Sequence, residues 1–265
     1  MKRLLIIGSS LLFVYILGAV LLYAFQERFI FLDGELPQDH AFEFNSKFRE
    51  INLETADGAN LNAIHFATQS PKGIIVYFHG NRGDLTRWGE IVEDYVKLNY
   101  DVLVMDYRGY GKSVGKRSMH KLLSDAELFY QYALTLYPEN EVTVYGRSIG
   151  TGLASWLAGK HQPKRLILET PYYSLNSIAQ RYYPIYPSKL ALRYNFQSYK
   201  YLETAECPIY IFHGTDDDVV PYESGKRLHK SLPKGQSEFI TIKGGRHKNL
   251  VEFETFNKEL KRILN

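Results

Sequence analysis

Residues 142–152, with the sequence VTVYGRSIGTG, carry two overlapping motifs that would perform different chemistry. The segment GRSIG, centred on Ser148, fits G-x-S-x-G, the sharp turn between a strand and a helix that exposes a nucleophilic serine. Gly146, Gly150 and Gly152 also fit G-x-x-x-G-x-G, the glycine-rich turn of short-chain dehydrogenases. The chemistry of this stretch therefore depends on what the rest of the chain supplies.

Position along the chain disfavours the dinucleotide motif. A dehydrogenase places its glycine-rich turn after the first strand of the sheet, whereas several candidate strands precede Val142 here. A Tyr-x-x-x-Lys pair, Tyr222 and Lys226, does occur, but it lies beyond an acidic segment that the serine motif explains better. The segment GYGKS ends like a phosphate-binding loop, yet the glycine required five residues before Gly111 is Asp106.

The serine motif gains support from two segments that follow it. In this kind of site the acid and then the histidine come after the serine, each on a loop at the carboxyl end of a later strand. The first segment, PIYIFHGTDDDVVP, begins as a buried-type strand and continues into a loop with Asp216, Asp217 and Asp218. The second segment, FITIKGGRHKNL, begins as a strand and continues into a loop with His247. A serine that only caps a helix would not require these partners. We therefore expect Ser148 to be a nucleophile.

Six segments together resemble the α/β-hydrolase superfamily, and within it the membrane-anchored serine hydrolases of the BEM46 and ABHD13/ABHD17-like kind. They are YFHGNRGD, DYRGYGKSVG, YGRSIGTG, ETPYYSL, HGTDDDVVP and GGRHKNL. The resemblance covers nearly all of the chain after residue 25. It implies Ser148 as nucleophile and His247 as base. Matching HGTDDDVVP to H-G-x-x-D-x-x-V-P implies Asp217 as the acid, with Asp216 and Asp218 as competing choices.

The remaining parts of the predicted site follow from the same resemblance. An oxyanion needs preorganised backbone N–H donors, which the resemblance assigns to Ile149 and Asn81. His79 and His213 are expected to shape their loops rather than to react. We expect neither a metal nor a cofactor, because the histidines form no recognisable metal-ligand spacing.

The elements that must position these residues alternate between short β-type runs and amphipathic helical stretches, which predicts an α/β fold with a mostly parallel sheet. Helices are expected at residues 118–137, after Ser148 and from Asn249 onward. The resemblance adds that this is the α/β-hydrolase fold, with eight strands, helices on both faces and a small cap. The predicted strands are residues 51–53, 61–66, 74–78, 102–106, 142–145, 166–169, 209–213 and 239–242.

The amino-terminal segment from Leu4 to Phe25 contains no charged residue. Its 22 residues would extend about 33 Å as a helix, which matches a hydrocarbon core of about 30 Å. We therefore expect residues 1–25 to be an uncleaved anchor and residues 26–265 to be a hydrolase domain; a removed signal peptide is the alternative. Lys2 and Arg3 precede the segment, so the positive-inside rule places the amino terminus in the cytoplasm and the domain in the periplasm, exterior or lumen.

Composition excludes some classes of function. The net charge of +3 comes from 32 basic and 29 acidic residues, without a basic block, which argues against nucleic acid as a partner. Cys207 is the single cysteine and cannot form an intramolecular disulfide. We expect a monomer.

Substrate selection is expected to depend on residues 170–208, a segment too long for an ordinary loop and interpreted as a small cap. Tyr172 and Tyr173 are the candidate substrate-binding residues, although packing of the cap is an equally good explanation for them. Arg82 and Asp84 stand where relatives commonly have small or amide residues. The expected activity is cleavage of an ester or thioester in an acyl lipid or acylated molecule. The alternatives are an aminopeptidase-like hydrolase and a catalytically silent binding protein.

Overall fold

The predicted strands form one eight-stranded sheet in the computed structural model, which describes residues 1–187 and 191–265. The strand order is β1-β2-β4-β3-β5-β6-β7-β8. The first two pairs in this order, β1 with β2 and β2 with β4, are antiparallel, and the other five pairs are parallel, as the prediction of a mostly parallel sheet requires. The strands are β1 (Phe48–Glu54), β2 (Asn60–Phe66), β3 (Ile74–Phe78), β4 (Asp101–Met105), β5 (Val142–Arg147), β6 (Arg165–Glu169), β7 (Ile209–Gly214) and β8 (Ser237–Ile242).

Helices cover both faces of this sheet. Those described are α1 (Lys2–Ile30), α2 (Leu85–Val96), α3 (Met119–Leu134), α4 (Gly150–Lys160), α5 (Leu175–Tyr182), α6 (Ser198–Tyr201), α7 (Tyr222–Ser231) and α8 (Glu254–Leu264). The helices α2 and α8 pack on one face, and α3, α4 and α7 pack on the other. The fold is the α/β-hydrolase fold, as predicted.

The central strand β3 is apolar throughout because both of its faces are buried. Successive side chains of a strand point to opposite faces. Ile74 and Val76 pack in the core beneath α3 and α4, whereas Ile75 and Tyr77 pack in the core beneath α2 and α8. A parallel strand covered on both sides therefore contains a continuous apolar run instead of an alternating one.

The helix α1 is long and apolar enough to cross a membrane by its length and composition, with no buried residue in its most apolar window. It continues five residues beyond the predicted end at Phe25. The polar residues after Phe25 remain helical because they contact the rest of the protein. Gln26 is buried, donates to the carbonyl of Ala191 and accepts from the amide of Arg193.

A cap lies between β6 and β7, in the region where the sequence predicted one. Its described parts include α5, α6 and a short 3-10 turn at Leu202–Thr204. Part of the predicted cap, residues 188–190, lies outside the described residues. The cap places aromatic side chains above the carboxyl end of the sheet, next to the end of α1.

Candidate active site

Ser148 occupies a strained turn between β5 and α4. Its φ of 53° lies in the left-handed region, where a side chain other than glycine is unfavourable. The turn is held by two backbone hydrogen bonds, from Ser148 N to Glu169 O at 2.9 Å and from Thr151 N to Ser148 O at 3.0 Å. Strain of this kind persists where the surrounding structure enforces it, and here it projects one hydroxyl from the end of a central strand.

The glycines on either side of Ser148 are explained by close packing of this turn. A Cβ atom on Gly146 would lie 2.7 Å from the Cα atom of Thr151. A Cβ atom on Gly150 would overlap the carbonyl oxygen of Phe78 in the adjacent strand, and one on Gly152 would overlap the hydroxyl of Tyr172. All three glycines are therefore required by the packing of protein atoms, without a bound phosphate.

The imidazole of His247 lies within hydrogen-bonding distance of the Ser148 hydroxyl. The distance from His247 Nε2 to Ser148 Oγ is 2.8 Å, and both residues are buried. His247 follows β8 after a turn at Gly244, whose φ of 75° favours glycine. The loop thereby returns to the carboxyl end of the sheet, and His247 meets a residue 99 positions earlier in the chain.

The structure brings Asp217, and neither of its acidic neighbours, to the far side of this imidazole. His247 Nδ1 lies 2.8 Å from Asp217 Oδ2 and 3.0 Å from Oδ1. The Asp216 carboxylate instead accepts from its neighbour Thr215, and Asp218 is exposed. Since an ionised carboxylate only accepts, Nδ1 carries the imidazole proton and Nε2 is left to accept from the serine.

Asp217 is held ionised although its side chain has no solvent exposure. Burial acts to raise the pKa of Asp217, but hydrogen bonds from His213 and His247 outweigh it and hold the pKa well below its usual value. The backbone N–H groups of Val219 and Val220 also donate to Oδ1, at 2.9 and 2.8 Å. A fixed negative charge therefore lies behind the imidazole.

His213 has a more specific position than the loop-shaping role that we expected from the sequence. Its Nε2 donates to the carbonyl of Val220 at 2.9 Å and lies 3.4 Å from Asp217 Oδ2. His213 thus lies near Oδ2, the same carboxylate oxygen that is nearest to His247. The sequence spacing is compatible with this contact, because His213 and Asp217 are four residues apart and a single turn joins them.

The two predicted oxyanion donors lie in the same cavity as Ser148. Ile149 directly follows the nucleophile at the amino end of α4, and Asn81 lies on the loop after β3. Within residues 1–187 and 191–265, neither backbone N–H has a hydrogen-bond acceptor. Two free N–H groups near a serine hydroxyl are available to an oxygen that gains negative charge.

His79 shapes the loop after β3, in agreement with the sequence interpretation. It is fully buried, its Nδ1 donates to the carbonyl of Gly80 at 2.6 Å, and its Nε2 lies 3.3 Å from Asp106. Its ring stacks on Trp88 with 5.3 Å between ring centroids. These contacts fix the loop that carries Asn81.

Of the three arginines near the site, Arg147 serves local structure. The buried Arg147 pairs with Glu169 at 3.1 Å and donates to the carbonyl of Lys248, next to His247, also at 3.1 Å. Arg82 and Arg246 are exposed. Asp84 accepts from the amide of Thr86 and caps the start of α2.

Ser148 opens into a cavity of about 420 Å³, a volume typical of small-molecule sites. Tyr172 lines this cavity and donates to the carbonyl of Ile149 at 3.1 Å. Tyr173 lies outside the lining and stacks on Tyr199 with 4.4 Å between ring centroids. The structure therefore brings one of the two predicted substrate-binding tyrosines to the site.

The cavity wall also contains six residues of α1, and three of them, Ala19, Leu22 and Tyr23, lie in the segment that the sequence predicts to be only a membrane anchor. No motif marks these residues, because their role depends on where the cap places the helix. Within the described residues, no group of three or more His, Cys, Asp or Glu side chains is arranged to hold a metal ion.

Comparison with known proteins identifies the family. A family model described as serine aminopeptidase, S33, matches residues 69–196. Protein R595 of Acanthamoeba polyphaga mimivirus is 30% identical over 223 residues, which cover 75% of each chain. The chain belongs to the α/β-hydrolase superfamily. The resemblance drawn from the six sequence segments is confirmed at this level.

Named relatives indicate the type of α/β-hydrolase, and a solved structure supports its fold. The lysophosphatidylserine lipase ABHD12 of Danio rerio is 29% identical over 272 residues, covering 82% of this chain and 69% of that protein. ABHD12 of Gallus gallus is 31% identical, and the match spans 58% of its length. The Pyrococcus furiosus esterase Pf2001 has a TM-score of 0.68 at 18% identity and covers 88% of this chain and 96% of its own, which supports the fold. The chain is thus a serine hydrolase of the lipase and esterase type.

Proposed function

We propose that this α/β-hydrolase is a membrane-anchored enzyme that cleaves the ester bond of an acyl lipid through Ser148, His247 and Asp217. The observation that carries the proposal is the 2.8 Å contact between Ser148 Oγ and His247 Nε2, with Ser148 in the wall of a mostly apolar cavity. Residues 1–25 would contain the anchor and residues 26–265 the hydrolase domain.

Acyl transfer to the serine is the first half of the proposed reaction. Ser148 Oγ attacks the acyl carbon as His247 Nε2 takes its proton, and Asp217 stabilises the imidazolium that forms. The carbonyl oxygen becomes an oxyanion that accepts from the N–H groups of Ile149 and Asn81. The bond to the leaving oxygen then breaks, and the imidazolium returns the proton to that oxygen. The product is an acyl-enzyme and a free alcohol.

Hydrolysis of the acyl-enzyme uses the same groups. A water molecule gives a proton to His247 Nε2 while its oxygen attacks the acyl carbon, and the second oxyanion uses the same two N–H groups. Collapse breaks the bond to Ser148 Oγ, which recovers a proton from the imidazolium. A carboxylic acid leaves and the enzyme is restored. A thioester would react by the same steps, with a thiol as the leaving group.

The lining of the cavity favours an acyl chain as the substrate group next to Ser148. Most lining side chains are aliphatic or aromatic, among them Leu22, Ile178 and Val220. Several relatives are named lysophosphatidylserine lipases, and their substrate by that name is a lipid. The described lining contains no carboxylate that would pair with a free amino terminus, so an aminopeptidase-like reaction is less well supported.

Labelling with a fluorophosphonate tests the proposed chemistry. The full-length protein should react covalently and hydrolyse a short para-nitrophenyl ester, whereas Ser148→Ala should do neither. In a comparable triad, loss of the serine lowers turnover by about six orders of magnitude. Ser70→Ala, at an exposed serine outside the cavity, is the control and should keep both activities. A parent protein that neither labels nor hydrolyses would favour the silent binding protein.

A further inference from the structure

One face of α1 forms part of the wall of the cavity that contains Ser148. The residues of this face recur every three or four positions, which is the spacing of side chains on one side of a helix. We call them the anchor face: Ala19, Leu22, Tyr23, Gln26, Phe29 and Ile30. The face extends about 16 Å along the helix axis, from the 1.5 Å rise per residue. This length suits a long acyl chain rather than an acetyl group.

Neighbouring residues of α1 on other sides of the helix are exposed. Val20 and Leu21 keep 56% and 47% of their surface accessible, and Ala24 is also exposed. An apolar helix with such a surface is suited to contact lipid. Tyr23 and Phe29 of the anchor face are exposed to a similar degree, so the two sides differ in that only the anchor face lines the cavity. One helix would thus contact lipid on one side and line the cavity with Ser148 on the other.

The tip of the cap, defined as residues 182–187 with the sequence YYPIYP, lies against the same helix. Tyr15 donates to the carbonyl of Ile185 at 3.0 Å and stacks on Tyr186 with 5.1 Å between ring centroids. Tyr15 precedes Phe25 by ten residues, or about 15 Å along the helix. If the span reaches Phe25, the uncharged cap tip extends well into one leaflet.

Polar contacts fix the position of α1 on the rest of the protein. Besides the Gln26 contacts, Glu27 accepts from Tyr194 at 2.8 Å and pairs with Arg193 at 3.1 Å. Two adjacent polar residues at the end of an apolar helix are thus both bound to the cap. A flexible tether would not require these contacts.

We propose that the anchor face is one wall of the acyl-binding site, and that one acyl chain of a membrane lipid enters the cavity from the leaflet between α1 and the cap tip. The inference rests on the proposed function of Ser148, which would then attack the ester at the inner end of the bound chain. We take the occupant to be an acyl chain for two reasons. The cavity lining is mostly apolar, and part of that lining belongs to a helix long enough to cross a membrane. The helix therefore selects the substrate as well as attaching the enzyme.

A matched pair of substitutions on α1 tests this proposal in the full-length protein. Ala19→Trp places a large ring on the anchor face, and Ala24→Trp places the same ring on the exposed side. Turnover of para-nitrophenyl palmitate and para-nitrophenyl butyrate is measured for both. Ala19→Trp should lower kcat/KM for palmitate about tenfold more than for butyrate, a discrimination within the range of hydrophobic pockets. Ala24→Trp should keep the parent's ratio of the two values.

A second pair of variants keeps the proposal testable if a tryptophan variant misfolds. Leu22→Phe and Leu21→Phe make the same comparison with a smaller change in volume, since Leu22 lines the cavity and Leu21 is exposed. The proposal is overturned if the two variants of either folded pair have the same ratio of palmitate to butyrate turnover.

Binding measured without turnover separates this proposal from the proposed chemistry. A fluorescent long-chain fatty acid is titrated into the parent, Ala19→Trp and Ala24→Trp in the same detergent. Weaker binding by Ala19→Trp alone supports the acyl site, even if the parent cleaves no ester. Equal binding by the two variants overturns the acyl site, even if Ser148 proves to be the nucleophile.

Discussion

The carbonyl oxygen of Ile30, at the end of α1, accepts a hydrogen bond of 3.2 Å from the side-chain amide of Asn81. The backbone oxygen of Asn81 in turn accepts from the amide of Leu32 at 2.8 Å. Asn81, the residue proposed to supply an oxyanion donor, is thus bound through its side chain by the last residue of α1 and through its main chain by Leu32, two residues beyond the helix. Movement of this helix end would change the position of that donor.

We predict that Asn81→Ala lowers kcat for a short ester while KM changes little. The alanine keeps the proposed backbone donor but loses one of the contacts that fix it, and a displacement of about 1 Å costs up to roughly a hundredfold in rate. Steady-state kinetics with para-nitrophenyl butyrate measures this. Asn140→Ala, at an exposed asparagine outside the cavity, should match the parent. A rise in KM with unchanged kcat would contradict the assigned role.

The assignment of the acid predicts unequal effects within one run of three aspartates. Asp217→Asn should lower kcat by about 10⁴-fold, because the neutral amide no longer holds His247 in the required tautomer. Asp216→Asn and Asp218→Asn should change kcat far less, since neither carboxylate contacts the imidazole. All three are compared with the same ester. A larger loss for Asp218→Asn would move the acid by one residue.

The depressed pKa of Asp217 predicts how acid affects stability. Its pKa is lower in the folded protein than the value of about 3.9 in an unfolded chain. Its contribution to stability is therefore complete above about pH 4 and is lost as the pH falls toward the folded pKa. Thermal unfolding of the parent and of Asp217→Asn should differ most near neutral pH, and the difference should shrink in acid.

The exposed Asp218 supplies the control for this pH series. Asp218→Asn should unfold at nearly the parent's temperature throughout the range. If the difference between the parent and Asp217→Asn instead grew as the pH fell, the direction of the Asp217 shift would be wrong.

Much of the fold could be predicted because local sequence determines it. The buried strands β3 to β7 are short apolar runs that end at glycine or polar residues, so the length and the boundaries of these runs located the strands to within one or two residues. The elbow around Ser148 could also be predicted, since the left-handed turn imposes small residues two positions away on each side.

Other features could not be predicted because they depend on contacts between distant segments. Whether Tyr172 or Tyr173 lines the cavity depends on how the cap turns relative to α4, which no local pattern specifies. The role of Ala19 depends on a cap more than 150 residues later in the chain. The continuation of α1 past Phe25 likewise depends on Gln26 finding partners in that cap.

Membrane topology is the last prediction. Lys2, Arg3 and the amino terminus precede the apolar segment of α1, whereas Glu27 and Arg28 cancel after it. Positive residues are retained in the cytoplasm, so the hydrolase domain should face the opposite side of the membrane. Protease added to intact cells or spheroplasts should digest a carboxy-terminal tag, and a cytoplasmic protein in the same cells should stay intact. A tag that is protected until the membrane is permeabilised would reverse the orientation, and the acyl chain would then enter from the cytoplasmic leaflet.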